Sequence, residues 1–153
     1  MKRGLSYDDV CMIPKYNNVL SRTEPELDAT LARGVRMRIP IVAANMDTVI
    51  GKDLASVLYD HGSMPIFHRF YKDHMELVKL VQMYADVCFM SMGVNDVDEV
   101  INLIRTYELK PIGIVIDIAH GHAMSVQKAI GLIKKEMPEL AIIAGNVFTC
   151  RAT

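Results

Sequence analysis

No apolar run in this chain approaches the roughly 18 residues that a membrane-spanning helix needs. Its start, Met1-Lys2-Arg3-Gly4-Leu5-Ser6, leads at once into acids and a proline, without the apolar core of a signal peptide. Cysteine is scarce: Cys11, Cys88 and Cys150, odd in number and far apart. That spacing disfavours a disulfide framework and a zinc knuckle. It predicts packing thiols in a reducing, cytoplasmic setting. Net charge is only −1 with His neutral, and no basic stripe is visible. The electrostatic footprint of a nucleic-acid binder is therefore missing. No G-x-G-x-x-G occurs either.

What is present describes a folded domain. Of the 153 residues, 51% are hydrophobic and 23% charged, the balance of a soluble globular protein. The length suits one domain with a real core. Residues 1–38 read as an irregular segment broken by Pro14, Asn17-Asn18, Pro25 and Gly34. A rhythm follows. Short apolar runs at Pro40–Ala44, Met64–Phe67, Val87–Met92, Ile112–Ile116 and Ala141–Ala144 predict strands buried on both faces. Between them, Lys52–Tyr59, His74–Tyr84, Val97–Tyr107 and Ser125–Met137 space apolar residues at three and four, as helices do. Pro138 stops the last of these.

Strand–helix alternation means βαβ units on a parallel sheet. A doubly wound sheet and a closed barrel share that rhythm. The polar residues favour the barrel. Asn45, Asp47 and Thr48, His68 and Arg69, Asp117, His120 and His122, and Gly145 and Asn146 all follow apolar strands. Chemistry spread over the C-terminal ends of many strands is the (β/α)8 arrangement. The expected fold class is thus α/β, a partial (β/α)8 TIM barrel. Residues 1–153 form one truncated domain: the irregular 1–38, then barrel strands one to five over 39–153. A full barrel takes about 250 residues, so the first and fifth strands are expected to offer unpaired edges.

Several segments carry a family resemblance. Leu5-Ser6-Tyr7-Asp8-Asp9-Val10 with Ile13-Pro14-Lys15, and then Ser21-Arg22, are similar to the opening of IMP dehydrogenases and GMP reductases. Ile39-Pro40-Ile41-Val42-Ala43-Ala44-Asn45-Met46-Asp47-Thr48-Val49 resembles their first strand and loop. His68-Arg69-Phe70, Ile116-Asp117-Ile118-Ala119-His120-Gly121-His122 and Ile143-Ala144-Gly145-Asn146-Val147 match the ends of the second, fourth and fifth strands. Two features resemble GMP reductase in particular. The second helix leads directly to Val87, with no room for the paired CBS modules that dehydrogenases usually insert there. The wording Ala44-Asn45-Met46-Asp47-Thr48 is also reductase-like.

The resemblance implies a purine-nucleotide oxidoreductase. A cysteine thiolate attacks C2 of GMP, ammonia leaves, and NADPH delivers hydride to C2 to give IMP. Covalent catalysis of this kind splits one hard displacement into easier steps. In the alternative, IMP dehydrogenase, IMP becomes XMP and NAD takes the hydride. The family nucleophile lies on a Gly-rich loop after the sixth strand, which these 153 residues do not include. Cys150 follows Gly145-Asn146-Val147 with no such loop ahead of it. The later phosphate loops and the monovalent-cation site of the family are not among these residues either. The expectation is the N-terminal portion of such an enzyme, a fragment or split half, inactive alone. It would work as a homo-oligomer or with a complementing C-terminal half-barrel. A non-catalytic nucleotide-binding or interaction protein derived from the barrel is the other reading.

By resemblance, Ser21, Arg22, Arg69, Asp117, Ile118, Ala119 and Asn146 would contact the cofactor, and Asn45 and Met46 the purine. Each has a plainer reading. Asp117 could cap the following helix. Asn146 after Gly145 could serve a tight turn. Arg22 suits bidentate phosphate contacts but could be a solvated surface residue. Met46 could be core packing. His120 and His122 carry no third ligand at a familiar spacing, and no metal site is expected.

Overall fold

The computed structural model describes residues 5–32 and 34–153. Met1–Gly4, on which the expectation about a signal peptide in part rests, and Arg33 lie outside the described residues. A 3-10 turn at Tyr7–Asp9 precedes β1 (Ala29–Ala32) and β2 (Val35–Met37). Then come α1 (Lys52–Asp60), β3 (Ile66–Phe67), α2 (His74–Met83), β4 (Phe89–Met92) and α3 (Val97–Thr106). β5 (Gly113–Asp117), α4 (Met124–Glu136) and β6 (Ala141–Gly145) complete the order. The chain is an α/β protein with a four-stranded parallel sheet, ordered β3-β4-β5-β6, and four helices. Strand order follows chain order, without the reversal of a doubly wound sheet.

Local chemistry sets the helix ends. Asp73 accepts the Met75 N–H at 2.9 Å and caps α2. α1 closes on Gly62, whose φ of +79° a side chain would resist. The Gly62 N–H donates to Tyr59 O and the Ser63 N–H to Leu58 O, both at 2.9 Å, which is a Schellman ending. α4 stops at Met137, ahead of Pro138.

Alternate strand residues serve two cores. Phe67, Met90, Met92, Ile114 and Ile116 pack beneath the helices, against Leu58, Val81, Ile101, Ile104, Val126 and Ile133. Ile66, Phe89 and Val115 face the other way and meet Val35 and Met37 of β2. Phe67 and Phe89 are fully buried on opposite sides of the sheet, each contributing about 1.5–3 kcal/mol of transfer free energy.

Three expectations are corrected. Pro40–Ala44 is not a strand. Pro40 has no N–H to give, the Ile41 carbonyl accepts from the Ser63 hydroxyl, and neighbouring β3 is only two residues long. Strands one to five are therefore four. Residues 1–38 are not wholly irregular, because β1 and β2 pair antiparallel and cover one face of the sheet. Cys11 and Cys150 are exposed, so only Cys88 is a packing thiol; burial pushes its pKa up to about 12.

The β6 edge is open among the described residues. The Ala141 N–H donates to Ile112 O at 3.1 Å and the Ile118 N–H to Gly145 O at 3.0 Å. Bonding along a parallel strand alternates sides. The main-chain groups of Ile142 and Ala144 thus face away from β5. Both residues line a groove of about 620 Å³, with Ala32, Ile130, Lys134 and Leu140 around it. The strand itself, Ala-Ile-Ile-Ala-Gly, carries no charged gatekeeper.

Two measurements follow. The 153-residue chain made alone should self-associate at low micromolar concentration in sedimentation velocity. A clean monomer with cooperative unfolding would mean that the edge is covered internally. Gly113 sits where an added Cβ would overlap Ala141 O and the Phe89 ring. Gly113→Ala should cost about 1–3 kcal/mol by overpacking, read as a lower urea midpoint; an unchanged midpoint would contradict this packing.

Candidate functional site at the C-terminal edge of the sheet

Because the parallel strands pair in register, their C-terminal ends lie level, and the loops beyond them share one edge. Asp117 pairs with Gly145 at the last rung of β5 and β6. Beyond it the two loops are stitched together by main-chain bonds. The Asn146 N–H donates to Ile118 O at 2.6 Å, and the Gly121 N–H to Asn146 O at 2.7 Å. Gly121 is needed for this approach, since a Cβ there would lie 2.9 Å from Asn146 O. Asp117, Ile118, Ala119 and Asn146, separated in sequence, form one patch. Asp117 does not cap α4; its N-cap is Ala123, without a side-chain bond. Asn146 makes its turn through the main chain, and the residue is exposed.

A second group gathers where β3 and β4 end. Asn45 Nδ2 donates to Ser91 Oγ at 2.9 Å, and Ser91 is buried. This bond joins the loop after residues 40–44 to β4. Met46 is 52% exposed and so is not core packing. His68 is buried, and its ring stacks on Tyr71 with centroids 3.9 Å apart and planes 12° off parallel. The Phe70 N–H donates to His68 Nδ1 at 3.1 Å, which leaves the ring proton on Nε2. Burial lowers the His68 pKa below its ordinary value, against smaller opposing fields from Asp47 and Glu76. Burial also raises Tyr71 to about 12, and its hydroxyl is buried without a hydrogen-bond partner among the described residues.

Arg69 stands beside this group, half-exposed, with Cζ 4.6 Å from the Phe70 ring centroid. It lines a cleft of about 180 Å³ with Tyr71, His74, Ser91, Asp96 and Glu99. Ser21 and Arg22 lie apart in an exposed turn. Their contacts are with their own segment: Ser21 Oγ meets Thr23 Oγ1 at 2.9 Å, and the shallow hollow beside them is walled by Asn17, Val19, Leu20 and Pro25. His120 and His122 are exposed, and no three metal-ligating side chains gather among the described residues. Ser91, Tyr71 and Asp96 were not singled out in the sequence. Asp96 alone carried a signal, as an acid directly before a helix.

Fold and edge together define an α/β protein of consecutive strand–helix units with its polar side chains collected beyond the C-terminal ends of the strands. Residues 4–153 match the IMP dehydrogenase / GMP reductase domain, and the chain belongs to that family. It is 38% identical over 147 residues to a GMP reductase of Albidiferax ferrireducens. A GMP reductase of Mycoplasma mycoides subsp. mycoides is 39% identical over 148 residues, and one of Pediococcus pentosaceus 40% over 147. These alignments cover 94–95% of this chain and 44–46% of the relatives. The chain thus spans a little under half the length of the curated relatives it matches and corresponds to their N-terminal portion. No helix among the described residues is long and apolar enough to cross a membrane.

The depressed pKa of His68 sets a pH dependence. The unfolded chain takes up the proton near pH 6.5, and the folded chain takes it up at lower pH. Unfolding is therefore favoured as pH falls below 6.5 toward the folded value, and the contribution is fully present above 6.5. The urea midpoint should drop between pH 7.5 and 5.5 in the native chain. His68→Gln, which can still accept from Phe70, should show a smaller drop. Identical slopes in the two proteins would remove His68 as the cause.

Proposed function

We propose that this chain supplies the cofactor side and part of the purine platform of a GMP reductase, built as an arc of a (β/α)8 barrel. The reaction is GMP, NADPH and a proton giving IMP, ammonia and NADP+. One observation carries the reading. The main-chain stitching of Ile118 to Gly145 and Asn146 draws the two family segments, Asp117–Ala119 and Asn146, into one patch, in a chain whose named relatives are GMP reductases. The direct passage from α2 to β4, Tyr84–Cys88, leaves no space for CBS modules and also favours the reductase. Residues 1–153 act as a single domain in this reading.

The side chains suit a nicotinamide dinucleotide in kind. Asp117 offers acceptors for hydroxyl or amide N–H groups, Asn146 both a donor and an acceptor, and Arg69 a planar fork for phosphate. NADPH, when bound, supplies the hydride. The residues of this chain orient and bind. Asp117, Ile118, Ala119 and Asn146 hold the nicotinamide half, and Arg69 holds phosphate. Ser21 and Arg22, far from this patch in contacts, reach the cofactor of a neighbouring subunit in a homo-oligomer. Asn45, fixed by Ser91, and the exposed Met46 lie against the base, where a polarizable thioether suits a flat ring. The nucleophilic cysteine belongs to polypeptide matching the remaining length of the relatives. The setting is cytoplasmic.

NADPH oxidation on addition of GMP tests this. The 153-residue chain alone should show none. Mixed with a polypeptide equivalent to the C-terminal half of a relative, it should turn over, and Asp117→Ala should lower kcat/KM by at least about tenfold. Turnover by the chain alone that vanishes in Cys150→Ala would make Cys150 the nucleophile. A complemented enzyme that oxidises IMP with NAD instead would point to the dehydrogenase.

A further inference from the structure

Asp96 stands directly before α3, where an acid ordinarily caps the helix. Its side chain makes no capping bond to α3. It turns back toward the sheet instead. Oδ2 accepts the Gly93 N–H at 2.8 Å, just past the end of β4, and the same oxygen lies 4.0 Å from Arg69 Nη1. On its other side the Arg69 guanidinium lies over Phe70. Gly93 leaves the space for this arrangement: a Cβ there would come within 2.9 Å of Asp96 Oδ2 and 3.5 Å of Arg69 Nη1.

We propose that Asp96 is a positioning residue that, with Phe70, holds the Arg69 guanidinium at the C-terminal edge of the sheet in the orientation that receives a cofactor phosphate. The phosphate role rests on the reading of Arg69 given above. Arg69 and Asp96 are 36% and 38% exposed, and pairs so exposed add little to stability. What the pair does is orientational. A free arginine loses many rotamers when it binds; one already held between a carboxylate and a ring loses fewer. The clamp also ties the end of β3 to the end of β4, so Arg69 moves with the strand that carries Ser91.

Asp96→Asn separates this from a merely structural role. Its amide oxygen can still accept from Gly93, but the charge facing Arg69 is gone. The thermal midpoint should stay near that of the native chain. The Arg69 Nε–Hε resonance should be shifted from its free-solution position in the native chain and should return to it in the variant. NADPH affinity, measured by ligand fluorescence, should weaken about tenfold, the scale expected when a charge-assisted contact loses its pre-organisation. Gly93→Ala, which pushes only the mobile end of Asp96 aside, should change both readouts in the same direction and stands in if Asp96→Asn fails to fold. An unchanged Arg69 resonance in a folded variant overturns the proposal, as does tighter NADPH binding, which would make Asp96 a competitor of the phosphate. If the native chain binds no NADPH, the cofactor reading falls, and the Arg69 resonance still decides whether Asp96 holds it.

Discussion

The in-register parallel pairing of β3 to β6 fixes where almost everything else lies. Parallel strands bury both faces, because the crossover helices must return over one of them. The rung from Phe89 to Gly113 to Ala141 levels the starts of three strands, and the rung from Asp117 to Gly145 levels the ends of two. Level ends bring the following loops together. Only then can Ile118 exchange main-chain bonds with Gly145 and Asn146. The polar patch is a consequence of register.

That register in turn needs cover on the face away from the helices. The β1–β2 hairpin supplies it, placing Val35 and Met37 against Ile66, Phe89 and Val115. The fit is close at Gly113, which has room for no side chain beside the Phe89 ring. At β6 the cover gives out: all five residues are partly exposed, and an open groove runs along the strand. Among the described residues β6 is the last strand of the four-stranded sheet, and its outer edge has no strand beside it.

The edge groups differ in how they are held. Main-chain bonds fix Asp117, Ile118 and Asn146, with Ala119 carried between Ile118 and Gly121, so that patch tolerates side-chain change better than backbone change. Side chains fix the group at β3 and β4: Asn45 on Ser91, His68 on Tyr71, Arg69 between Asp96 and Phe70. Here single substitutions carry further, because each contact has one donor or one ring behind it. The His68 tautomer follows from the same local logic, since the Phe70 N–H occupies Nδ1.

Much of this was legible in the sequence. Four helices fall within a residue or two of their apolar spacing, and the continuous β-branched runs at Ile112–Ile116 and Ala141–Ala144 became central and edge strands. The polar residues that follow them, Asp117 and Asn146, lie together beyond the C-terminal ends of the strands, because polar groups after a buried strand must leave the core. Pro40–Ala44 has the same apolar character and is not a strand, since a strand exists only through a neighbour that bonds along it. The hairpin at Ala29–Met37 was hidden because its inward residues are few and its partner face is formed by residues much later in the chain. The turn of Asp96 away from its helix was hidden for a similar reason: the groups that attract it, Gly93 and Arg69, are brought together by β3 and β4. The sequence by itself determined which segments are helix or buried strand and which residue types end them, because periodicity and chain stiffness act locally. The tertiary structure alone decided which strand edges are satisfied, what covers the second face, and which partner each polar side chain meets. Those depend on distances between segments that no local pattern encodes.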